Sequence, residues 1–236
     1  MNTATAPTES KVATKQRLIE AAEHLFADDG FEKVSVRDIT NRAGANVAAV
    51  NYHFGSREGL VEIVMARYIN PISEERIARL EGLERKAGGK PVPIEELVEA
   101  FARPFTTQIR RSELSEKIFF KLMGRLFGDQ CKLPPTVESG LQDMRVRFHR
   151  AFSKSLPGMP PEEIWWRTHL MGGSLIYTLA HSETLQRISS GASGTPTMEQ
   201  IVSRFIRFAS AGMRQDHVAG EEEEGVKRGP QVEFTF

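Results

Sequence analysis

The chain has 236 residues, room for a small domain beside a larger one, and its 40% hydrophobic and 26% charged residues are those of an ordinary globular protein. Its 31 basic and 31 acidic residues cancel, which argues against a protein that holds nucleic acid by bulk positive charge. A single cysteine, Cys131, excludes an internal disulfide. The longest uncharged apolar run, 170–180, falls short of the ~20 residues that span a bilayer, and the polar N-terminus has no apolar signal core, so the chain is expected to be soluble and cytoplasmic.

Residues 1–10 are rich in Thr, Ala and Pro and are expected to form a disordered arm. A helix over 14–28 follows, with Leu18, Ala21, Ala22, Leu25 and Phe26 at helical spacing and Gly30 as its stop. Phe31 and Val34 should pack the corner after it. Ser35 then stands as an N-cap with Asp38 three residues on, a capping-box pattern. Val36, Ile39 and Ala43 share one face of the short helix this opens, and Gly44 ends it. Asn46 can cap the next helix, with Val47 and Val50 pointing inward and Ala48, Ala49 and Asn51 outward. Two short capped helices joined by a tight turn form a helix-turn-helix, its reading helix at 47–53 small enough at the start to enter the ~12 Å major groove. Ser56 caps a fourth helix, which Pro71 is expected to stop near Ile69.

Helical spacing continues over 72–87, 94–110, 113–127, 136–155, 162–185 and 198–214, separated by Gly, Pro and Ser clusters, and no segment alternates with strand period. The expected fold is all-α with about nine helices. A three-helix head occupies 11–56, a larger helical body 57–216, and a disordered tail with the acidic run Glu221 to Glu224 fills 217–236. His53 has no partner at metal-ligand spacing, and paired carboxylates and a nucleophile elbow are lacking, so no cofactor is expected and a helical enzyme is a remote alternative.

Within residues 1–60 seven Lys/Arg face eight Asp/Glu, so distribution must supply what the total lacks. Lys11, Lys15 and Arg17 open the first helix, Asp28 and Asp29 close it, and Arg37, Arg42 and Arg57 lie near the turns. The helix starts at Ser35 and Ser56 present N–H groups suited to phosphates. Arg37 can reach a phosphate or grip a guanine edge. Asn46, Ala48, Ala49 and Asn51 are candidate base readers, with Asn46 equally suited to a cap alone.

Ser35-Val36-Arg37-Asp38-Ile39, then Ala43-Gly44, then Asn51-Tyr52-His53-Phe54-Gly55-Ser56-Arg57 with Leu60, resembles the DNA-binding signature of TetR-type transcriptional regulators. The resemblance implies that Tyr52 and His53 donate to phosphates, with Arg57 adding charge. It also implies an effector pocket between the body helices and a two-fold dimer on double-stranded DNA. The run Glu163-Ile164-Trp165-Trp166-Arg167-Thr168-His169, with 118–126, is similar to a subgroup that responds to long-chain fatty acids, so a fatty acid or acyl-CoA is the implied effector. Phe101, Phe105, Phe119, Phe120, Met123, Leu126, Phe127, Phe148, Phe152, Trp165, Trp166 and Met171 are the available lining, though any one such side chain is more often core than ligand contact. Arg167, His169 or Arg125 could meet a carboxylate, or make structural hydrogen bonds instead. Gly172-Gly173-Ser174 would let helices approach closely, with Leu175, Leu179, Val202, Phe205, Ile206 and Ala209 completing a four-helix dimer contact. Two reading heads would then address half-sites ~34–36 Å apart. The expected function is ligand-released repression, with an activator or an architectural DNA binder as the alternatives.

Overall fold

Alternating caps and apolar stripes close this chain into helices alone, and in the computed structural model, which describes residues 7–128 and 132–216, no strand occurs among those residues. The first six residues of the expected arm, Cys131 and the acidic tail 217–236 lie outside the described residues. Ten helices are present among the described residues, against about nine expected for the chain. The first, α1 (Pro7–Asp29), begins inside the segment expected to be disordered. Pro7 at its first position has φ already set for a helix and no N–H to satisfy. Leu18, Ala22 and Phe26 are fully buried against α2 (Val36–Ala43) and α3 (Val47–Phe54), and Phe26 stacks on Phe31 at 4.7 Å to fill the corner.

The helix expected to stop before Pro71 does not. Helix α4 runs unbroken over Arg57–Ala87. Proline removes the N–H that would bond the carbonyl of Arg67, four residues earlier, and Gln108 Nε2 from α5 (Ile94–Arg111) donates to that carbonyl at 3.3 Å instead. Val64, Met65, Ile69 and Ile72 are buried on either side. At ~1.5–3 kcal/mol each, their burial outweighs the ~3 kcal/mol that proline costs inside a helix.

Helices α6 (Glu116–Gly128), α7 (Pro135–Ser155) and α8 (Pro161–Ala180) complete most of the body. The expected helix over 162–185 is two: the chain turns at His181, where φ is −123°, and α9 (Ser182–Ile188) follows. His181 closes α8 twice over, with its backbone N–H at 2.9 Å and its ring Nδ1 at 3.0 Å from the Tyr177 carbonyl. A capping box of Thr197 and Gln200 opens α10 (Met198–Arg214), which packs on α5 and α8.

Head and body meet along α1. Lys121 of α6 pairs with Asp28 at 2.9 Å, and Arg125 donates to the Asp28 carbonyl at 3.0 Å. Deeper in the seam the Tyr68 hydroxyl donates to the buried Glu23 carboxylate at 2.7 Å, with Arg67 3.6 Å away. Burial lifts the Glu23 carboxyl above its ordinary pKa, against the pull of Tyr68 and Arg67. Among the described residues no helix is long and apolar enough to cross a membrane.

Candidate functional site

The turn between α2 and α3 is built by local chemistry. Ser35 donates from its backbone N–H and its hydroxyl to Asp38 Oδ2, at 2.9 and 2.6 Å, and accepts from the Asp38 N–H at 3.3 Å. These bonds hold the Asp38 carboxyl below its ordinary pKa. Gly44 adopts φ 59°, a left-handed conformation that a side chain resists, and the chain reverses there. Asn46 Oδ1 accepts the Ala49 N–H at 2.9 Å, so Asn46 is a cap. The cap uses only the carbonyl oxygen of its amide, which leaves the NH₂ group able to meet a base.

Helix α3 buries Val50 and Phe54 and exposes Ala48, Asn51 and Tyr52. Two expectations are corrected. Val47 is exposed, because it stands at the helix tip, short of the core edge. Ala49 is half-buried against the core instead of pointing outward. Lys11 Nζ lies 3.3 Å from the Tyr52 hydroxyl and 5.4 Å from its ring centre, and Tyr52 meets His53 edge-on at 4.9 Å. The start of α1 thus sets a cation beside the end of the reading helix. Arg37 is exposed on α2.

Arg57 does not present its charge outward. Its Nε donates to the Val34 carbonyl at 2.9 Å and its Nη2 to that of Phe31, tying the corner to the start of α4. The other expected phosphate sites are contested too. Asp38 sits in the first turn of α2 and Glu58 in that of α4, each with its carboxyl pKa lowered by hydrogen bonds at the cap. A phosphate arriving at either start meets a carboxylate. Gly59 fixes the approach of α3 to α4, since a Cβ there would lie 2.1 Å from the Phe54 carbonyl oxygen.

In the body a cavity of about 300 Å³ opens among α4 to α8, lined by Arg76, Phe101, Phe127, Leu141, Met144, Arg145, Trp165, Thr168, His169, Gly172, Gly173 and Ile176. It gathers Phe101, Phe127, Trp165 and His169 from the expected lining. Phe105, Phe119, Phe120, Met123, Leu126, Phe148, Phe152 and Met171 are buried in the core and do not line it. Trp166 is 64% exposed on the outside of α8, while its neighbour Trp165 reaches the cavity and stacks on His149 at 4.2 Å. Arg167 is turned away from the cavity. It pairs with Glu163 at 2.7 Å and donates to the carbonyls of Gly212, Met213 and Gln215, closing the C-terminal end of α10.

Most side chains expected at a dimer contact point inward. Leu175, Leu179, Val202, Phe205 and Ala209 are buried in the protomer's own core, Ile206 is half-buried, and Gly172 lies beside the Phe101 ring. Helices α8, α9 and α10 expose Leu170, Tyr177, Leu185, Ile188 and Phe208, the last 74% accessible, and all of these but Leu170 line a cleft of about 580 Å³. This cleft is the larger of the two and is open to solvent to a similar degree, and its lining runs from the exposed Tyr177, Leu185, Ile188 and Phe208 to the buried Ile201 and Phe205.

Residues 18–64 match the model for bacterial regulatory proteins of the tetR family, and residues 99–212 match that for the tetracyclin repressor-like C-terminal domain. Head and body therefore match the two halves of one architecture. The chain belongs to the TetR family of bacterial regulatory proteins.

Among TetR-family relatives, the chain is 39% identical over 64 residues to the probable HTH-type transcriptional regulator YttP of Bacillus subtilis (strain 168), which is 27% of this chain and 31% of that protein. It is 28% identical over 81 residues to the HTH-type transcriptional repressor KstR2 of Rhodococcus jostii (strain RHA1), covering 34% of this chain and 40% of that one. The chain thus spans well under half the length of these curated relatives. The crystal structure of Mycobacterium smegmatis AmtR shares the fold with a TM-score of 0.56 at 15% identity, covering 92% of this chain and 90% of that one.

Of this TetR-family cavity, Trp165 is an expected lining residue that reaches it, whereas sequence reasoning did not single out Arg76 or Arg145, nor the apolar Leu141, Met144 and Ile176. For Arg76 a signal existed. It falls four residues after Ile72 and four before Leu80, on the stripe that α4 buries, where a cation is out of place. Arg76 is fully enclosed. Its Nε donates to the Phe101 carbonyl at 2.8 Å, and its guanidinium lies 3.6 Å from the Phe101 ring centre and 5.1 Å from that of Phe105.

Proposed function

We propose that this TetR-family regulator is a repressor that binds a pseudo-palindromic operator as a homodimer and leaves it when a small, largely apolar effector fills the cavity beside Phe101. The observation that carries this reading is the continuity of α4. Its first turn is wedged against the end of α3 at Gly59, and Arg76, roughly 28 Å along the same helix at 1.5 Å per residue, borders the cavity. An unbroken rod converts a small displacement at the cavity into a tilt of the reading head. The coupling is real only to the extent that the effector prefers one tilt over the other.

The sign of the response is supported by the name of KstR2, a transcriptional repressor. Dimerisation is supported by the exposed apolar face of α8, α9 and α10, which a second copy would cover. Pairing also doubles the phosphate contacts of a head that is not basic overall. The apolar side chains of Leu141, Met144 and Ile176 support an acyl chain as the group bound there, carried by a fatty acid or presented by its CoA ester. The test is a gel-shift titration against DNA flanking the gene, at fixed salt, with and without a long-chain fatty acid or its CoA ester. Retardation released by the lipid is expected. Retardation indifferent to every lipid would remove the effector assignment, and no retardation on flanking or selected DNA would sink the regulator reading. Loss of reporter expression on deleting the gene would instead mark an activator.

A further inference from the structure

Resting on the reading of this cavity as the effector site, we propose that its ligand is a free carboxylic acid with a compact apolar body, and that Arg76 receives the carboxylate. Arg76 is a buried cation with no protein countercharge. Among the described residues its hydrogen bonding is limited to the one from Nε to Phe101, and no Asp or Glu pairs with it. Its two Nη nitrogens therefore form a donor fork without a protein acceptor, at the wall of the cavity. A buried cation without a countercharge is unfavourable, and an anion entering the cavity would supply the missing partner.

The surroundings specify which anion. The Phe101 ring 3.6 Å from the guanidinium and the bond to the Phe101 carbonyl fix the plane of the fork, and a planar fork matches a carboxylate through two parallel hydrogen bonds. Every charged or titratable side chain in the lining is basic: Arg76, Arg145 and His169, without an Asp or Glu. Arg145 already shares its charge with Glu138 at 2.9 Å, which leaves Arg76 as the primary partner. The same lining includes the apolar side chains of Leu141, Met144, Ile176 and Phe127. About 300 Å³ is at the small end of ligand cavities, ~300–1,000 Å³, and suits a compact body. A thioester offers the fork no charge, so the free acid is preferred over its activated form. Burial draws the Arg76 pKa down to about 9, which keeps it a cation at neutral pH.

Isothermal titration of the full chain with octanoic and phenylbutanoic acids, and with octanol and phenylbutanol, tests this. In the wild type each acid is expected to bind about ten- to a hundred-fold more tightly than its alcohol, the difference a charge-assisted pair supplies. In Arg76→Met the acids should fall to the level of the alcohols, the alcohols should be unchanged, and the ligand-free variant should melt no lower than the wild type, because an unpaired charge has left the core. Arg76→Lys should restore part of the acid preference. If Arg76→Met does not fold, the acid-to-alcohol ratio of the wild type decides alone. Alcohols binding the wild type as well as acids would overturn the carboxylate assignment and leave the cavity as an effector site. Octyl phosphate binding more tightly than octanoate would overturn it in favour of a phosphate. Binding of none of these probes would overturn both readings.

Discussion

Arg57 shows how a single side chain can be spent on the fold. Its bonds to the Val34 and Phe31 carbonyls hold the corner that sets α2 against α4, and charge-assisted bonds of this kind are among the stronger ones in a protein. Arg57→Ala should therefore lower stability by about 2 kcal/mol, read as a drop in melting temperature. The slope of log affinity against log salt should stay unchanged. Lys11→Ala should do the opposite, leaving the melt alone and reducing that slope by about one phosphate contact. A flattened slope with an intact melt in Arg57→Ala would return that residue to the DNA. Arg167 is a parallel case, since its guanidinium closes the end of α10 and is not available to a ligand.

At the scale of the element, α4 depends on a bond made from another helix. Gln108→Leu leaves the Arg67 carbonyl without its donor and should cost about 1–3 kcal/mol in chemical denaturation. In a Pro71→Ala background the helix supplies its own N–H, and the same substitution should become nearly neutral. Equal costs in both backgrounds would show that Gln108 acts by packing. This dependence explains what the sequence could and could not disclose. Ser35 with Asp38, Gly44, Asn46 and Ser56 announce the helix-turn-helix because each cap is closed within three or four residues. The continuity of α4 was hidden, because its compensation comes from α5. The break at His181 was hidden because an apolar stripe runs through it. The cavity was legible only in part: helical spacing says that Phe101 and Phe105 point inward, and not which of them meets empty space. Trp165 and Trp166 are one residue and about 100° of helix apart, enough to exchange lining for surface.

For the whole molecule, the neutral charge balance is resolved by where the acids lie. Glu23 and Asp28 are engaged at the seam with the body, while Lys11 stays beside the reading helix and Asp38 and Glu58 remain as carboxylates at the helix starts. The apolar face of α8, α9 and α10 gives a route to further contacts through a second copy. Replacing Tyr177 and Phe208 by Glu together should yield a folded monomer in sedimentation and weaken operator binding by on the order of a hundred-fold, since one head alone loses half the phosphate contacts. A dimer that survives both charges would place the interface elsewhere. The chain's two tryptophans, side by side on α8, divide between the two proposed events: one indole looks into the cavity and its neighbour looks out from α8, the helix proposed to take part in pairing. The protein thus carries a two-channel optical gauge of its own state. Emission from the inner indole follows occupancy and that from the outer follows assembly, and with Phe at either position the remaining light separates a ligand that loosens the dimer from one that only tilts it.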